Sequence, residues 1–510
     1  MSDFREVNRY ERLLLPPSVD ELLPDDHPAR MIDDVVENFD TRKIENKYSW
    51  LGRKAFHPKV MMKILFYGYT TGVRSSRKLA ERCREDLAYM FLCCKEMPDF
   101  RTISDFRKDH LEELREYFKE IVVFGRQLGL GVSKAVFIDG TKIRANASAG
   151  KSKTEEKMDK MIREIDDAIE EAFKEAEEID RLEDEKYGDS GGNKLPPHLR
   201  TKADRKRAIE EAKRSLKEKG LMKINLTDED ANMMKMRPGV IRPCYNCQAA
   251  VTEDGFIVAR DCVTESNDSK QLEPMVEQAK EAVPEITQVV GDAGYGTYEA
   301  LEYLKEQGLD GYVRDFNGDI RRLLKGDLEN LRYHWLSFTY DKERKSFICA
   351  EGKELPFFRI KKYRGETHEI YKGAECLSCL VREQCTKREN REIVLNSRWP
   401  LVVEMLEKFR SEEGRELYKK RLNACESPFG NIKMNLGYIM FLLRGKRKVS
   451  GEYNLMCIGH DFGKIYRALK LKARETGKGF REIIREILGK FKQIKEGGGF
   501  FSSIFSAVPA

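Results

Sequence analysis

Apolar residues recur at three- and four-residue intervals through about the first 130 residues, a period that predicts helices. The clearest runs are Met31 to Phe39, Lys59 to Tyr69, Ser76 to Cys94 and Ser104 to Leu128, with Ser104 as N-cap of the last. Pro98-Asp99-Phe100-Arg101-Thr102 separates the last two. With Arg101, Arg107 and Lys108 close by, this reads either as a helix-turn-helix DNA reader or as an ordinary packed helical hairpin.

The period then shortens. Lys134 to Ile138 is a short apolar run ending at Asp139-Gly140, and Thr141 to Ala147 is expected to be its hairpin partner. From Lys151 to Lys219 charged residues and Ala dominate, predicting an inserted pair of amphipathic helices, 153–187 and 201–219, flanking the turn-rich Gly188 to Pro197. Strand signals return at Cys247 to Thr252 and Phe256 to Cys262. A helix at Gln271 to Val283, a strand at Thr287 to Val290, a helix at Tyr298 to Gln307 and a strand at Gly311 to Arg314 follow. After a cysteine-bearing stretch, helical signal resumes at Arg415 to Leu436 and Tyr453 to Leu471, and the tail after Gly497 reads as loosely held.

Strand hairpins followed by strand–helix–strand–helix–strand predict an α/β protein with a ribonuclease-H-like (RNase H-like, retroviral-integrase-like) core. The expected division is 1–132 as an N-terminal all-helical domain, and 133–150, 220–316 and 410–471 as the RNase H-like core. Residues 151–219 form a charged helical-hairpin insertion, 317–409 a second, cysteine-bearing insertion, and 472–510 a C-terminal helix and tail.

Composition narrows the function. With 40% hydrophobic and 35% charged residues in 510, the chain is neither a low-complexity nor a collagen-like sequence, and it can bury real cores. No apolar run approaches the length of a membrane span. Met1 to Tyr10 lacks the apolar core of a signal peptide, and twelve cysteines are too sparse for a disulfide framework. The expectation is therefore a cytoplasmic, nucleoid-associated protein. A net charge of +6 does not by itself imply nucleic acid, so such a partner rests on local clustering. No phosphate-cradling GxxxxGK[ST] loop is present, so no ATP is expected.

Two aspartates stand out by position. Asp139 precedes Gly140, and Asp292 follows Gly291 and precedes Gly294 and Gly296, each next to a buried strand. Carboxylates held this way suit Mg²⁺, although each also reads as a turn or helix cap. A two-metal site on phosphate needs a third acid. Tyr418, Arg421, Glu426 and Lys433 share an arc of about 140° on an ideal helix, where an acid beside basic residues suits both metal and phosphate. An exposed ion-pair set is the plainer reading, and Ser427-Pro428 predicts a kink or restart at Glu426.

Phe137-Ile138-Asp139-Gly140-Thr141-Lys142, Gly291-Asp292-Ala293-Gly294-Tyr295 and Tyr418-x2-Arg421-x4-Glu426-x6-Lys433 resemble the three signature blocks of prokaryotic DDE insertion-sequence transposases with a tyrosine–arginine–glutamate–lysine signature. The flanking Asn225 to Ala231, Tyr245 to Val251 and Phe441 to Gly445 fit as well, and the resemblance runs from about Arg9 to Lys464. It implies an RNase H-like domain in which Asp139, Asp292 and Glu426 are catalytic and bind two Mg²⁺ or Mn²⁺. It also implies an N-terminal DNA-binding domain. One departure is that four residues, Leu422 to Cys425, separate Arg421 from Glu426 where the commonly quoted signature has three. Glu426 keeps six residues before Lys433, and Glu412, Glu413 and Glu416 fit less well.

Cys349, Cys376, Cys379 and Cys385 are a second signal, with a spacing suited to a structural Zn²⁺. Cys244 and Cys247 read as buried free thiols, and His27, His57 and His460 as structural. Basic residues outnumber acids over 415–450, where Lys419, Lys420, Arg421, Lys433, Arg444, Lys446, Arg447 and Lys448 form a stripe suited to phosphate. The expected function is a DNA transposase that binds the inverted repeats of its element. It would cleave and transfer strands by metal-dependent phosphodiester chemistry, as a homodimer on double-stranded DNA. The alternatives are a metal-dependent nuclease of the same fold and a catalytically inactive zinc-containing DNA-binding protein.

Overall fold

The structure, a computed structural model, describes residues 17–49, 54–187, 197–237, 239–313, 332–363 and 365–496. The expectations for Met1 to Tyr10, for most of the turn at Gly188 to Pro197 and for the tail from Gly497 lie outside the described residues.

Eight helices come first: α1 Val19–Leu22, α2 Pro28–Glu37, α3 Arg42–Glu45, α4 Pro58–Thr70, α5 Ser76–Glu85, α6 Leu87–Leu92, α7 Phe100–Asp109 and α8 Leu111–Arg126. Side chains set their starts. His27 and His57 each precede a proline at the first helical position, and each accepts through Nδ1 from the backbone N–H two residues on. The expected helix 76–94 is divided at Asp86, which caps α6 by accepting from Ala88 N. Ser104 is not the cap of 104–128. Asp99 opens α7 by accepting from Arg101 N and Thr102 N, and the chain turns again at His110 before α8.

The central sheet contains β1 Ala135–Arg144, β4 Asn232–Arg237, β5 Val240–Val251, β6 Ile257–Val263, β7 Gln288–Gly291 and β8 Asp310–Val313. Its order is β4-β5-β1-β7-β8, with β6 also on β5. β1 and β6 run antiparallel to β5, while β7 and β8 run parallel to β1. This mixed α/β arrangement is consistent with an RNase H-like core. The expected hairpin at Asp139-Gly140 does not form. β1 runs straight through both residues because Phe137 to Arg144 pair with β5 from Val251 back to Cys244. Helices α11 Leu272–Ala282 and α12 Tyr298–Glu306 connect the later strands.

Two further groups of elements lie outside this sheet. The short strands β2 Ser152–Lys153 and β3 Ile224–Asn225 pair at the base of α9 Glu155–Tyr187 and α10 Pro197–Glu218. Met158, Ile165, Ile209, Ala212 and Leu216 bury the seam between these two helices. The second group is an antiparallel sheet of β9 Thr339–Asp341, β10 Ser346–Ile348, β11 Glu354–Tyr363, β12 Glu366–Lys372 and β13 Glu392–Asn396, with a one-turn helix α13 Arg382–Cys385. Phe347, Tyr371 and Trp399 are among its core.

Four helices end the described chain: α14 Trp399–Arg410, α15 Glu412–Gly430, α16 Lys446–Thr476 and α17 Phe480–Glu496. The restart expected at Glu426 is not seen. Pro428 lies inside α15, which continues directly into a π-helical turn at Asn431–Asn435. Proline removes one N–H from the ladder, and the looser turn just beyond lets the chain continue without a break. One hydrophobic core holds Ile32 and Phe66 of the first helices, Phe137 and Val290 of the sheet, and Phe462 and Ile487 of the last helices. The N-terminal helices thus share their core with the sheet.

Candidate active site

The parallel pairing of β1 with β7 ends at Ile138 opposite Gly291. Asp139 and Asp292 are the next residue on each chain, so the register brings the two aspartates side by side at the carboxyl edge of the parallel strands. Asp292 Oδ1 accepts from Gly294 N at 2.7 Å, capping the 3₁₀ turn Ala293–Tyr295, and Asp139 Oδ1 accepts from Gly140 N at 2.9 Å. Burial pushes the Asp139 carboxyl up to about 6; Arg421 opposes this, while Asp292 and Asp268 add to it.

α15 supplies the basic side. Arg421 Nη1 lies 3.2 Å from Asp139 Oδ2, and its guanidinium carbon is 5.6 Å from the Tyr418 ring centroid. Tyr418 itself packs edge-on against Phe409 at 5.0 Å. Lys433, in the π-helical turn, donates to Thr141 Oγ1 and, at 2.9 Å, to the Lys142 carbonyl. Burial lowers its ammonium pKa. Arg421 and Lys433 thus grip β1 on either side of Gly140. Glu426 follows Arg421 by five residues on α15 and is exposed, and its side chain makes no hydrogen bond or ion pair among the described residues. Next to it, buried Cys425 feels the charges of Asp139, Arg421, Asp292 and Glu426.

The remaining predicted residues divide. Arg444 is exposed with Nε on the Asn146 carbonyl at 2.9 Å, and the Lys446 backbone is held by Asp230 at 2.8 Å, so this loop sits beside the far end of β1. Arg101 is exposed at the start of α7. Arg107 is not at a surface. It is 3% exposed, donates to Tyr69 Oη and the Arg74 carbonyl, and serves the helical core rather than a DNA contact. Lys419 and Lys420 pair with Glu416 and Glu253.

Asp268, in the loop between β6 and α11, had no place in the sequence reading. Its Oδ1 accepts from Asn246 Nδ2 at 2.7 Å and Gln248 Nε2 at 2.6 Å. The signal available was polar residues in a buried strand: Asn246 and Gln248 are 2% and 0% exposed.

Cys349, Cys376, Cys379 and Cys385 line one small cavity beside β10 and α13. Lys353 N donates to Cys349 Sγ at 3.3 Å and Arg391 N to Cys376 Sγ at 3.4 Å, the kind of bond that favours thiolate. Among the described residues, no three His, Cys, Asp or Glu side chains stand at the spacing of a metal site. The donor chemistry still fits both ions. Two adjacent carboxylates beside side-chain-free glycines suit a hard divalent cation, and four thiols suit zinc. Also among the described residues, no helix is long and apolar enough to cross a membrane.

Two family models match the chain. One, described as Transposase domain (DUF772), covers residues 17–109, and the other, described as Transposase DDE domain, covers 348–466. The second match includes Glu426 and the four cysteines but neither Asp139 nor Asp292. Searches of curated proteins and of solved structures returned no match.

Proposed function

We propose, from the premise that this chain is an insertion-sequence DDE transposase, that it binds the terminal inverted repeats of its element and catalyses metal-dependent DNA cleavage and strand transfer. The observation that carries the reading is the β1–β7 register, which sets Asp139 beside Asp292 with Arg421 on the same carboxylate. Asp139, Asp292 and Glu426 would hold two Mg²⁺ or Mn²⁺, which would supply Lewis-acid chemistry at the phosphate.

The residues of the chain do the rest. Arg421 is a planar double donor beside the acids, suited to a phosphate oxygen. Lys433 keeps the strand after Asp139 in register, and Tyr418 braces Arg421 from the side. Arg444 and Lys446 contact the DNA backbone further along, with Arg101 on the N-terminal helices. Water attacks the scissile phosphorus and expels the 3′-oxygen. The freed 3′-hydroxyl then attacks a target phosphodiester in line, expelling a target 3′-oxygen. Two element ends meet in one reaction, so the working form is a dimer on DNA.

The four cysteines would hold a structural Zn²⁺. Their cavity and the two N–H···S bonds support this. Purified protein is expected to carry about one zinc per chain by elemental analysis, lost in Cys379→Ser; a metal-free protein contradicts it.

The catalytic reading is tested with DNA carrying both flanks of this gene, incubated with protein and Mg²⁺ or Mn²⁺. Cleaved ends joined to target DNA are expected. Cleavage without joining indicates a nuclease of the same fold, and binding without cleavage an inactive DNA-binding protein.

A further inference from the structure

Gln248 sits wholly buried in the middle of the central sheet and faces two partners. Its Nε2 donates to Asp268 Oδ1 at 2.6 Å, and its Oε1 accepts from Tyr295 Oη, which lies in the turn after Asp292. Asn246, two residues earlier on the same face of β5, donates to the same Asp268 oxygen at 2.7 Å. Asp268, Gln248 and Tyr295 therefore link the loop before α11, the strand beside β1 and the Asp292 turn.

The orientation of the Gln248 amide is not free. A carboxylate only accepts, so Asp268 obliges the NH₂ end of Gln248 to face it, and the carbonyl end must then face Tyr295. Without that acceptor the amide can rotate and present N–H to the tyrosine.

Space for this linkage comes from two glycines of the signature blocks. A Cβ on Gly140 would fall 2.5 Å from Gln248 Nε2 and 2.7 Å from Asp268 Oδ1. A Cβ on Gly294 would fall 3.0 Å from Asp292 Oδ1 and 3.4 Å from Asp268 Oδ2. A side chain at Gly140 would displace the linkage, and one at Gly294 would press on the Asp292 carboxylate.

We propose that Asp268, acting through Gln248 and Tyr295, is a positioning residue that locks the Asp292 turn against the Asp139 strand. The inference rests on the proposed role of Asp139 and Asp292 in holding divalent cations. It gives Tyr295 and the buried Asn246 and Gln248 a task that the signature alone does not assign.

The test is Mn²⁺ affinity of the full chain by calorimetry, with thermal melts beside it. Outer partners of metal ligands typically change affinity by about tenfold or more. Asp268→Ala and Tyr295→Phe are each expected to weaken Mn²⁺ about tenfold, and the double variant no further, because both cut one linkage. Asp268→Asn keeps an acceptor and is expected within about threefold of the unaltered protein. Tyr295→Phe deletes one hydroxyl and carries the test alone if Asp268→Ala does not fold.

Unchanged affinity in Tyr295→Phe overturns the proposal, as do effects that multiply in the double variant. A loss in Asp268→Asn equal to that in Asp268→Ala also overturns it, because the charge at 268 would then act directly. Asp139→Asn and Asp292→Asn separate the two levels. If they leave Mn²⁺ binding intact, the cation reading falls and the positioning role with it; if they abolish it while Asp268→Ala does not, the positioning role alone falls.

Discussion

Asp139 is a buried carboxyl under electrostatic strain at the candidate site. Burial raises its pKa from 3.8 to about 6, against the pull of Arg421. Between these two values the folded state binds more protons than the unfolded chain, so this residue's contribution to stability falls as pH rises through that window. Above about pH 6 the loss is complete, on the order of 3 kcal/mol for a shift of this size. Metal-free Asp139→Asn is therefore expected to need more urea to unfold than the unaltered protein at pH 7.5, with the difference vanishing below about pH 4. A difference that does not change with pH would contradict the burial account. A second prediction at this scale concerns Asp99, whose carboxylate takes the Arg101 and Thr102 amides at the start of α7. Asp99→Ala should destabilise the protein, read as a lower urea midpoint with an unchanged slope.

At the scale of elements, α16 and α4 cross closely because Gly459 has no side chain. A Cβ there would lie 2.4 Å from the Tyr69 carbonyl oxygen, a backbone atom that cannot turn aside. Gly463, one turn on, has open space. Gly459→Ala is expected to destabilise by about 2 kcal/mol or more, and Gly463→Ala to be neutral or stabilising by up to about 1 kcal/mol; equal melting temperatures would refute the close crossing. What the sequence made legible follows the same division between local and distant. Helix periods, the strands near Asp139 and Asp292, and the helical pair around 188–196 are written in neighbouring residues. The break expected at Asp139-Gly140 was not there, since the pairing that keeps β1 straight comes from β5, about a hundred residues away. Arg107 looked like a DNA contact because its burial depends on Tyr69 and Arg74 across the helical core. Asp268 lies in a polar loop whose composition says only loop, and its meaning appears once Asn246 and Gln248 are seen to be buried without each other as partners.

Across the whole molecule, one core joins the first helices, the sheet and the last helices, so they are expected to unfold together. The net charge of +6 spreads thinly over the chain, and DNA affinity should depend on a few exposed cations near the end of β1. Replacing Arg444 and Lys446 together by Gln should reduce the slope of log affinity against log salt by about 2, with little change in melting temperature; an unchanged slope would place the DNA elsewhere. Asp139 and Asp292 are proposed to act together on a DNA phosphodiester. The measurement that reaches this most directly is Mn²⁺-dependent cleavage of element-end DNA by Asp292→Asn, with binding of the same DNA followed by mobility shift. Binding within about threefold of the unaltered protein, with cleavage lost by at least about a thousandfold, is the predicted result. Cleavage that persists in Asp292→Asn would contradict it.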